Sequence, residues 1–209
     1  MVQLIFDFDG TMADSKQLAI DIYNELAETG GYKPIERQKV SLLSSLSIPD
    51  RMKELNIPAV HLPKLIFDFK KIYKRKVHTL FAVEGISELL MTLSDKGLKP
   101  DIISSNRADT IEAFIESNHF SGSIGSVFSG RHLFGKHRLI DRYIKLHRFS
   151  KEELIYVGDE LRDIEACKRA GIKMIAVTWG FDSKELLQNA KPDFVANKPH
   201  EIVEILGFR

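Results

Sequence analysis

The sequence predicts an α/β fold, a doubly wound and mostly parallel sheet (a Rossmann-like core) carrying a small inserted all-helical cap. Three observations carry that expectation. Short apolar runs recur that are continuous rather than alternating, as strands covered on both faces require. Through the second half of the chain these runs alternate with helical periods. The first crossover, residues 14–84, breaks the rhythm and shows helical patterns only; unstructured loops beyond ~12–15 residues are uncommon in compact domains, so a helical unit is inserted there.

The strands are expected at residues 2–8, 101–104, 154–157 and 174–178, with weaker runs at 126–128 and 194–196. Pro100 cannot donate to a sheet ladder and so opens its strand. In the insertion, Leu18, Ile22 and Leu26 form one helical stripe, and Leu62, Leu65, Ile66, Phe69, Ile72 and Tyr73 another. Beyond it, Ile86, Leu89, Leu90 and Leu93 share a helix face, as do Ile111, Phe114 and Ile115. The spacing recurs in Leu139, Ile140, Tyr143 and Ile144, then in Leu161, Ile164 and Cys167. Gly97 and Gly171 stand where left-handed residues close the first and last of these core helices. The boundaries that follow are 1–14 plus 81–209 for the core and 15–80 for the cap, with joints near Asp14-Ser15 and at residues 78–84.

Thirty basic and twenty-nine acidic residues leave a formal charge of +1, which points to neither nucleic acid nor a membrane surface. No stretch approaches the ~20 apolar residues of a membrane span. The apolar run at residues 4–6 is too short for a secretory signal and lacks a basic leader. The single cysteine, Cys167, rules out an internal disulfide and a cysteine-based zinc cluster. The expected location is the cytoplasm.

Chemistry concentrates in two stretches. Leu4-Ile5-Phe6-Asp7-Phe8-Asp9-Gly10-Thr11 runs an apolar strand into two alternate carboxylates and a glycine turn. In open α/β sheets ligands bind at the carboxyl ends of strands, where Asp7 falls. Two acids this close suit a metal and can divide labour between nucleophile and acid/base; the plainer alternative is a turn whose acids cap the next helix. Leu154-Ile155-Tyr156-Val157-Gly158-Asp159 is a second such strand end, with Asp163 four residues on. One helical turn separates Asp159 from Asp163, so both can face one point. Carboxylates from different strand ends make a Mg²⁺ site; helix capping by Asp159 and dipole compensation by Asp163 are the alternative.

With these residues in view, the sequence resembles the haloacid dehalogenase superfamily, in its phosphoglycolate-phosphatase-like branch with a helical cap after the first strand. The resemblance spans essentially the whole chain and rests on four motifs in order: DFDGT at Asp7 to Thr11, a serine at the end of the next core strand, a lysine ahead of a helix, and Gly158-Asp159 with Asp163. The serine is placed at Ser105, with Ser104 its rival; the lysine is Lys136, with Arg131 and Arg138 nearby. The resemblance implies a hydrolase acting on a small phosphorylated metabolite. Asp7 is the nucleophile that becomes an aspartyl-phosphate, and Asp9 the acid/base. Ser105, Asn106 and Lys136 hold the phosphate. Mg²⁺ is held by Asp7, the backbone carbonyl of Asp9, and Asp159, with Asp163 binding directly or through water.

Other features carry less. His132, His137 and His147 fit no metal-ligand spacing. Lys70, Lys71, Lys74, Arg75 and Lys76 read as the solvated face of an amphipathic helix rather than an anion-attracting rim. Sugar-phosphate mutases of the branch carry a Gly-Val-Ser-Arg type pattern in the cap. Ser45-Leu46-Ser47-Ile48 lacks its glycine and arginine, although Arg51 lies close. A phosphomutase remains the nearest rival. A dehalogenase needs neither Asp9 nor a metal, and a phospho-accepting receiver module lacks the helical insertion.

Overall fold

The computed structural model describes residues 2–130 and 135–208. Among these, six strands form one sheet: β1 (Gln3–Phe6), β2 (Asp101–Ser104), β3 (Val127–Ser129), β4 (Leu154–Gly158), β5 (Lys173–Val177) and β6 (Phe194–Ala196). Their order is β3-β2-β1-β4-β5-β6 and every pairing is parallel. The strands lie within two residues of where the sequence puts them, and Pro100 stands immediately before β2.

Helices among the described residues complete the fold. Four lie between β1 and the first core helix: α1 (Lys16–Gly30), α2 (Val40–Ser44), α3 (Ile48–Glu54) and α4 (Leu62–Lys76). The rest alternate with strands: α5 (Ile86–Asp95), α6 (Ala108–Ser117), α7 (Lys136–His147), α8 (Leu161–Ala170), α9 (Lys184–Asn189) and α10 (Glu201–Ile205). None of the helices described is long and apolar enough to cross a membrane.

The continuous apolar strands have the cause expected of them. Successive side chains point to opposite faces, and both faces are covered. Leu4, Phe6, Ile102, Ile155, Val157, Ile175 and Val177 pack on one side, against α5, α6 and α10. Ile5, Ile103, Leu154, Tyr156, Met174 and Ala176 pack on the other, against α7, α8 and α9. Cys167 lies in that second layer as a free, buried thiol.

The insertion has a small core of its own, in which Tyr23, Ala27, Leu43 and Leu55 pack with Leu46 and Leu65. Ile22, Tyr73 and Val77 instead join the layer over the sheet. Its two joints run side by side: the Asp14 N–H donates to the Phe81 carbonyl at 3.0 Å, and the Val83 N–H to the Met12 carbonyl at 2.9 Å. An antiparallel bridge between Ala13 and Ala82 lies between them.

The topology fixes where chemistry can sit. The chain builds β2 and β3 on one side of β1, then crosses to build β4, β5 and β6 on the other. This reversal opens a crevice at the carboxyl ends of the strands beside β1. Phe6 is in register with Ile102 and with Val157, so the segments after β1, β2 and β4 emerge together.

Candidate active site

Asp7 follows β1 directly, and its N–H continues the ladder by donating to the Val157 carbonyl at 2.8 Å. The residue is 2 % exposed. Burial pushes its pKa up to about 7, with the Lys136 ammonium pulling the other way. Lys136 opens α7 and reaches inward, its Nζ 2.7 Å from Asp7 Oδ2 and 2.5 Å from Asp163 Oδ1. Burial works against its charge, but Asp163 and Asp7 outweigh that and raise its pKa. The ammonium also lies 5.4 Å from the centre of the Tyr156 ring. Of its sequence rivals, Arg138 is exposed, and Arg131, like His132, falls outside the described residues. His147 is exposed, its ring tilted against Tyr143 and stacked on Phe149.

The stretch after β4 supplies more acids. Glu160 and Asp163 form a reciprocal capping box at the start of α8, in which the Glu160 N–H donates to Asp163 Oδ2 at 3.2 Å. Glu160 Oε2 accepts from Arg162 Nε at 2.7 Å. One oxygen from each of Asp7, Glu160 and Asp163 lies within 4.8 Å of the other two, and all three residues are buried. Asp159 is fully buried beside them, but its oxygens are otherwise engaged: Oδ1 accepts from Thr11 Oγ1 and Oδ2 from the Phe181 N–H, each at 2.7 Å. Burial, then Glu160, Asp7 and Asp163, push its pKa well up. Glu160 is also raised, by burial, with Arg162 opposing.

Glu160 was not among the sequence candidates. One-turn spacing pairs Asp159 with Asp163 only if both are helical; α8 begins at Leu161, so Asp159 lies outside it. The Glu-x-x-Asp pattern at a helix start was the available signal. Two glycines make room for the Asp159 carboxylate. A Cβ on Gly10 or on Gly180 would overlap its Oδ2 well inside van der Waals contact, and Gly10 also has φ +73°.

Asp9 is held from two sides. Tyr73 of α4 donates its hydroxyl to Oδ1, and Asn106 Nδ2 donates to Oδ2 at 3.1 Å. Burial raises the Asp9 pKa, with the Tyr73 and Asn106 hydrogen bonds opposing. Burial, then the neighbouring Asp9, raise the Tyr73 phenol, which keeps it a donor. Ser104 is buried at the end of β2, and its hydroxyl accepts from the Asn106 N–H at 3.1 Å. Ser105 lines the cavity described next. It does not cap α6, whose cap is Arg107.

A cavity of about 260 Å³ lies over these groups. The core contributes Asp9, Ser105, Asn106, Glu160 and Arg162; the insertion contributes Tyr23, Leu65, Phe69, Lys70 and Tyr73. Lys70 corrects the expectation of a wholly solvated basic face. It is half-buried, donates to the Ser105 carbonyl at 2.6 Å, and has its pKa lowered by burial. Lys71 and Arg75 are exposed as expected. Arg51 does not line this cavity; it is ion-paired with Asp182, whose Oδ2 accepts the Leu161 N–H at 2.6 Å.

The doubly wound sheet thus gathers buried carboxylates at the ends of β1 and β4, with the Lys136 ammonium of α7 set between Asp7 and Asp163. The sequence pattern of the haloacid dehalogenase-like hydrolases matches residues 4–177, and the chain belongs to that family. A phosphoglycolate phosphatase from Synechococcus elongatus is 29 % identical over 98 % of this chain and 96 % of its own. The pyrophosphatase PpaX of Bacillus cereus is 23 % identical over 98 % of this chain and 95 % of its own. A haloacid dehalogenase-like family hydrolase from Streptococcus pneumoniae shares the fold, with a TM-score of 0.82 at 20 % identity, covering 99 % of this chain and 98 % of that one. The chain is therefore an enzyme of the haloacid dehalogenase-like hydrolase family.

Proposed function

We propose that this chain is a Mg²⁺-dependent phosphatase that hydrolyses a small phosphate monoester through an aspartyl-phosphate on Asp7. The observation that carries the reading is the buried Lys136 between Asp7 and Asp163, with the Asp9 carboxylate facing the cavity above. A fixed buried cation beside a strand-end carboxylate suits a reaction that must offset spread-out phosphoryl charge. The named activities of the two relatives, on phosphoglycolate and pyrophosphate, fit a small substrate.

The donor set fits a hard dication. Asp7, Glu160 and Asp163 offer oxygens only, within 4.8 Å of one another and shielded from water. The upward pKa shifts of Asp7, Asp159 and Glu160 include repulsion from neighbouring carboxylates. Asp7, the Asp9 backbone carbonyl and Asp163 hold the ion, together with Asp159 through the lone pairs that its Thr11 and Phe181 hydrogen bonds leave free, and Glu160 stands beside them. When bound, Mg²⁺ would supply charge neutralisation at the transferring phosphoryl group.

The residues then divide the work. An Asp7 oxygen attacks phosphorus as the bond to the leaving oxygen breaks, and Asp9 gives that oxygen a proton. Asp9 next takes a proton from water whose oxygen attacks the phosphoaspartate, releasing phosphate and restoring the Asp7 carboxylate. Ser105, Asn106 and Lys136 hold the phosphate oxygens. Residues 15–80 act as a cap domain over the 1–14 plus 81–209 core, excluding water and shaping the leaving-group pocket. The cytoplasm suits a chain whose one cysteine is a free thiol.

The test is hydrolysis of an aryl phosphate with and without Mg²⁺, combined with acid-quench trapping of phosphoenzyme. Mg²⁺-dependent turnover with label on Asp7 is the expected result. Stable label without turnover, or activity only with a sugar bisphosphate, would replace the reading with a receiver or a mutase.

A further inference from the structure

We propose that Tyr73 is a positioning residue for Asp9, so that the proton donor is fully oriented only while the helical insertion covers the site. The inference rests on the reading of Asp9 as the acid/base.

The two hydrogen bonds to Asp9 come from structurally different places. Asn106 belongs to the segment after β2, and its own backbone is tied down by the Ser104 hydroxyl. That contact stays with the sheet. Tyr73 belongs to α4, in the insertion, and bonds the other carboxylate oxygen. One donor on each oxygen fixes both the direction and the plane of the carboxyl, while each oxygen keeps lone-pair capacity for the proton to be transferred. One donor alone leaves rotation about the Asp9 side-chain bonds.

Tyr73 is itself firmly placed. It is 2 % exposed, packs in the layer over the sheet, and its ring stacks on Phe69 at 5.9 Å between centres. Its neighbours on the same helix bind the same rim. Lys70, one turn before, holds the Ser105 carbonyl, and Lys74, one residue after, lies 2.7 Å from Asp109 Oδ2. This face of α4 therefore grips the segments after β1 and β2 and the start of α6 together. Lys70 and Lys74 hold the helix down, whereas Tyr73 alone of the three bonds the Asp9 carboxylate. Misplacing a catalytic group by about 1 Å can cost ~10²-fold in rate, so a contact of this kind is worth retaining.

The diagnostic is leaving-group dependence. An alkyl leaving oxygen needs a proton as its bond to phosphorus breaks, and a nitrophenolate does not. Tyr73→Phe removes only the hydroxyl. It should lower kcat/KM for phosphoglycolate by about tenfold or more, a part of the ~10²–10⁴ that general acid catalysis supplies. For p-nitrophenyl phosphate the loss should stay below about threefold. Lys74→Ala weakens the same helix contact without touching Asp9, and should shift both substrates by the same factor. In an Asp9→Asn background, Tyr73→Phe should cause no further loss on the alkyl ester, because the hydroxyl acts through Asp9. Equal losses on both substrates, or an undiminished effect in the Asp9→Asn background, would overturn the positioning role. If Asp9→Asn alone hydrolysed the alkyl ester as fast as the wild type, the acid/base assignment itself would fall. An impaired Asp9→Asn with an unselective Tyr73→Phe would remove only the present inference.

Discussion

Replacing Asp7 with asparagine removes the proposed nucleophile and also relieves the protein of a buried charge, so activity and stability should move in opposite directions. Asp7 is 2 % exposed and its pKa is raised from 3.8 to about 7, because burial outweighs the pull of Lys136. A raised carboxyl pKa means that the folded state holds the proton more tightly than the unfolded chain. Its contribution to stability is fully present below about pH 4 and is lost as pH rises through about 7. At 1.36 kcal/mol per unit, the ionised carboxylate costs the metal-free fold about 4 kcal/mol at pH 8. The substituted amide carries no such charge. In EDTA at pH 8, Asp7→Asn should therefore be more stable than wild type by up to about 4 kcal/mol, or roughly 10 °C in Tm. The gap should close towards pH 4. Added Mg²⁺ should raise the wild-type Tm more than that of the variant, which lacks a ligand. Thermal unfolding across pH, with and without Mg²⁺, measures all of this beside a turnover assay. A variant no more stable than wild type at pH 8, or a gap independent of pH, would refute the argument that burial strains this carboxylate. Turnover by Asp7→Asn above blank would refute its role as nucleophile.

Three further outcomes are expected. Exhaustive EDTA treatment should abolish turnover, Ca²⁺ should restore little of it because it favours more ligands and looser geometry, and Asp159→Ala should mimic EDTA; full activity without metal overturns this. Asp9→Asn should slow both chemical steps by ~10²–10⁴-fold yet still bind Mg²⁺ in calorimetry, since only its backbone carbonyl is assigned to the ion; complete loss of binding would make the side chain a ligand. Gly10→Ala should lower stability by about 1–3 kcal/mol, since a Cβ there meets Asp159 Oδ2 and Phe181 at φ +73°. It should weaken Mg²⁺ binding as well, and unchanged unfolding and binding would show that the turn relaxes freely.

Strand positions were legible in the sequence because a parallel sheet covered on both faces leaves unbroken apolar runs. Asp101–Ser104 and Phe194–Ala196 occupy the positions expected of them. The first strand was read one residue too early and two residues too far: Phe8 is apolar and buried, but its carbonyl accepts from Met12 and Ala13 in a turn rather than from a neighbouring strand. Asp7, Asp9, Asp159 and Asp163 were nameable because strand ends and turns advertise themselves through composition. Lys136 was nameable only through the resemblance, whose third motif is a lysine ahead of a helix.

What only the tertiary structure decided is which atoms meet. Asp7 and Lys136 are brought to 2.7 Å by the register of β1 with β4 and by the placement of α7, and no local pattern encodes that distance. Glu160 enters the acidic group because it caps α8, while the Asp159 carboxylate turns to Thr11 and Phe181 in space left by two glycines. The basic residues of α4 look alike in sequence, yet Lys70 faces the cavity and Lys71 the solvent, because the orientation of a helix is set by what it packs against. Tyr73 read as one more apolar stripe position; its hydroxyl meets Asp9 only because the chain closes 64 residues of separation by folding the insertion back over the sheet. Periodicity and composition are properties of neighbours along the chain and can be read from it. Contacts between distant segments depend on the packing of the whole, and there the geometry of this site was decided.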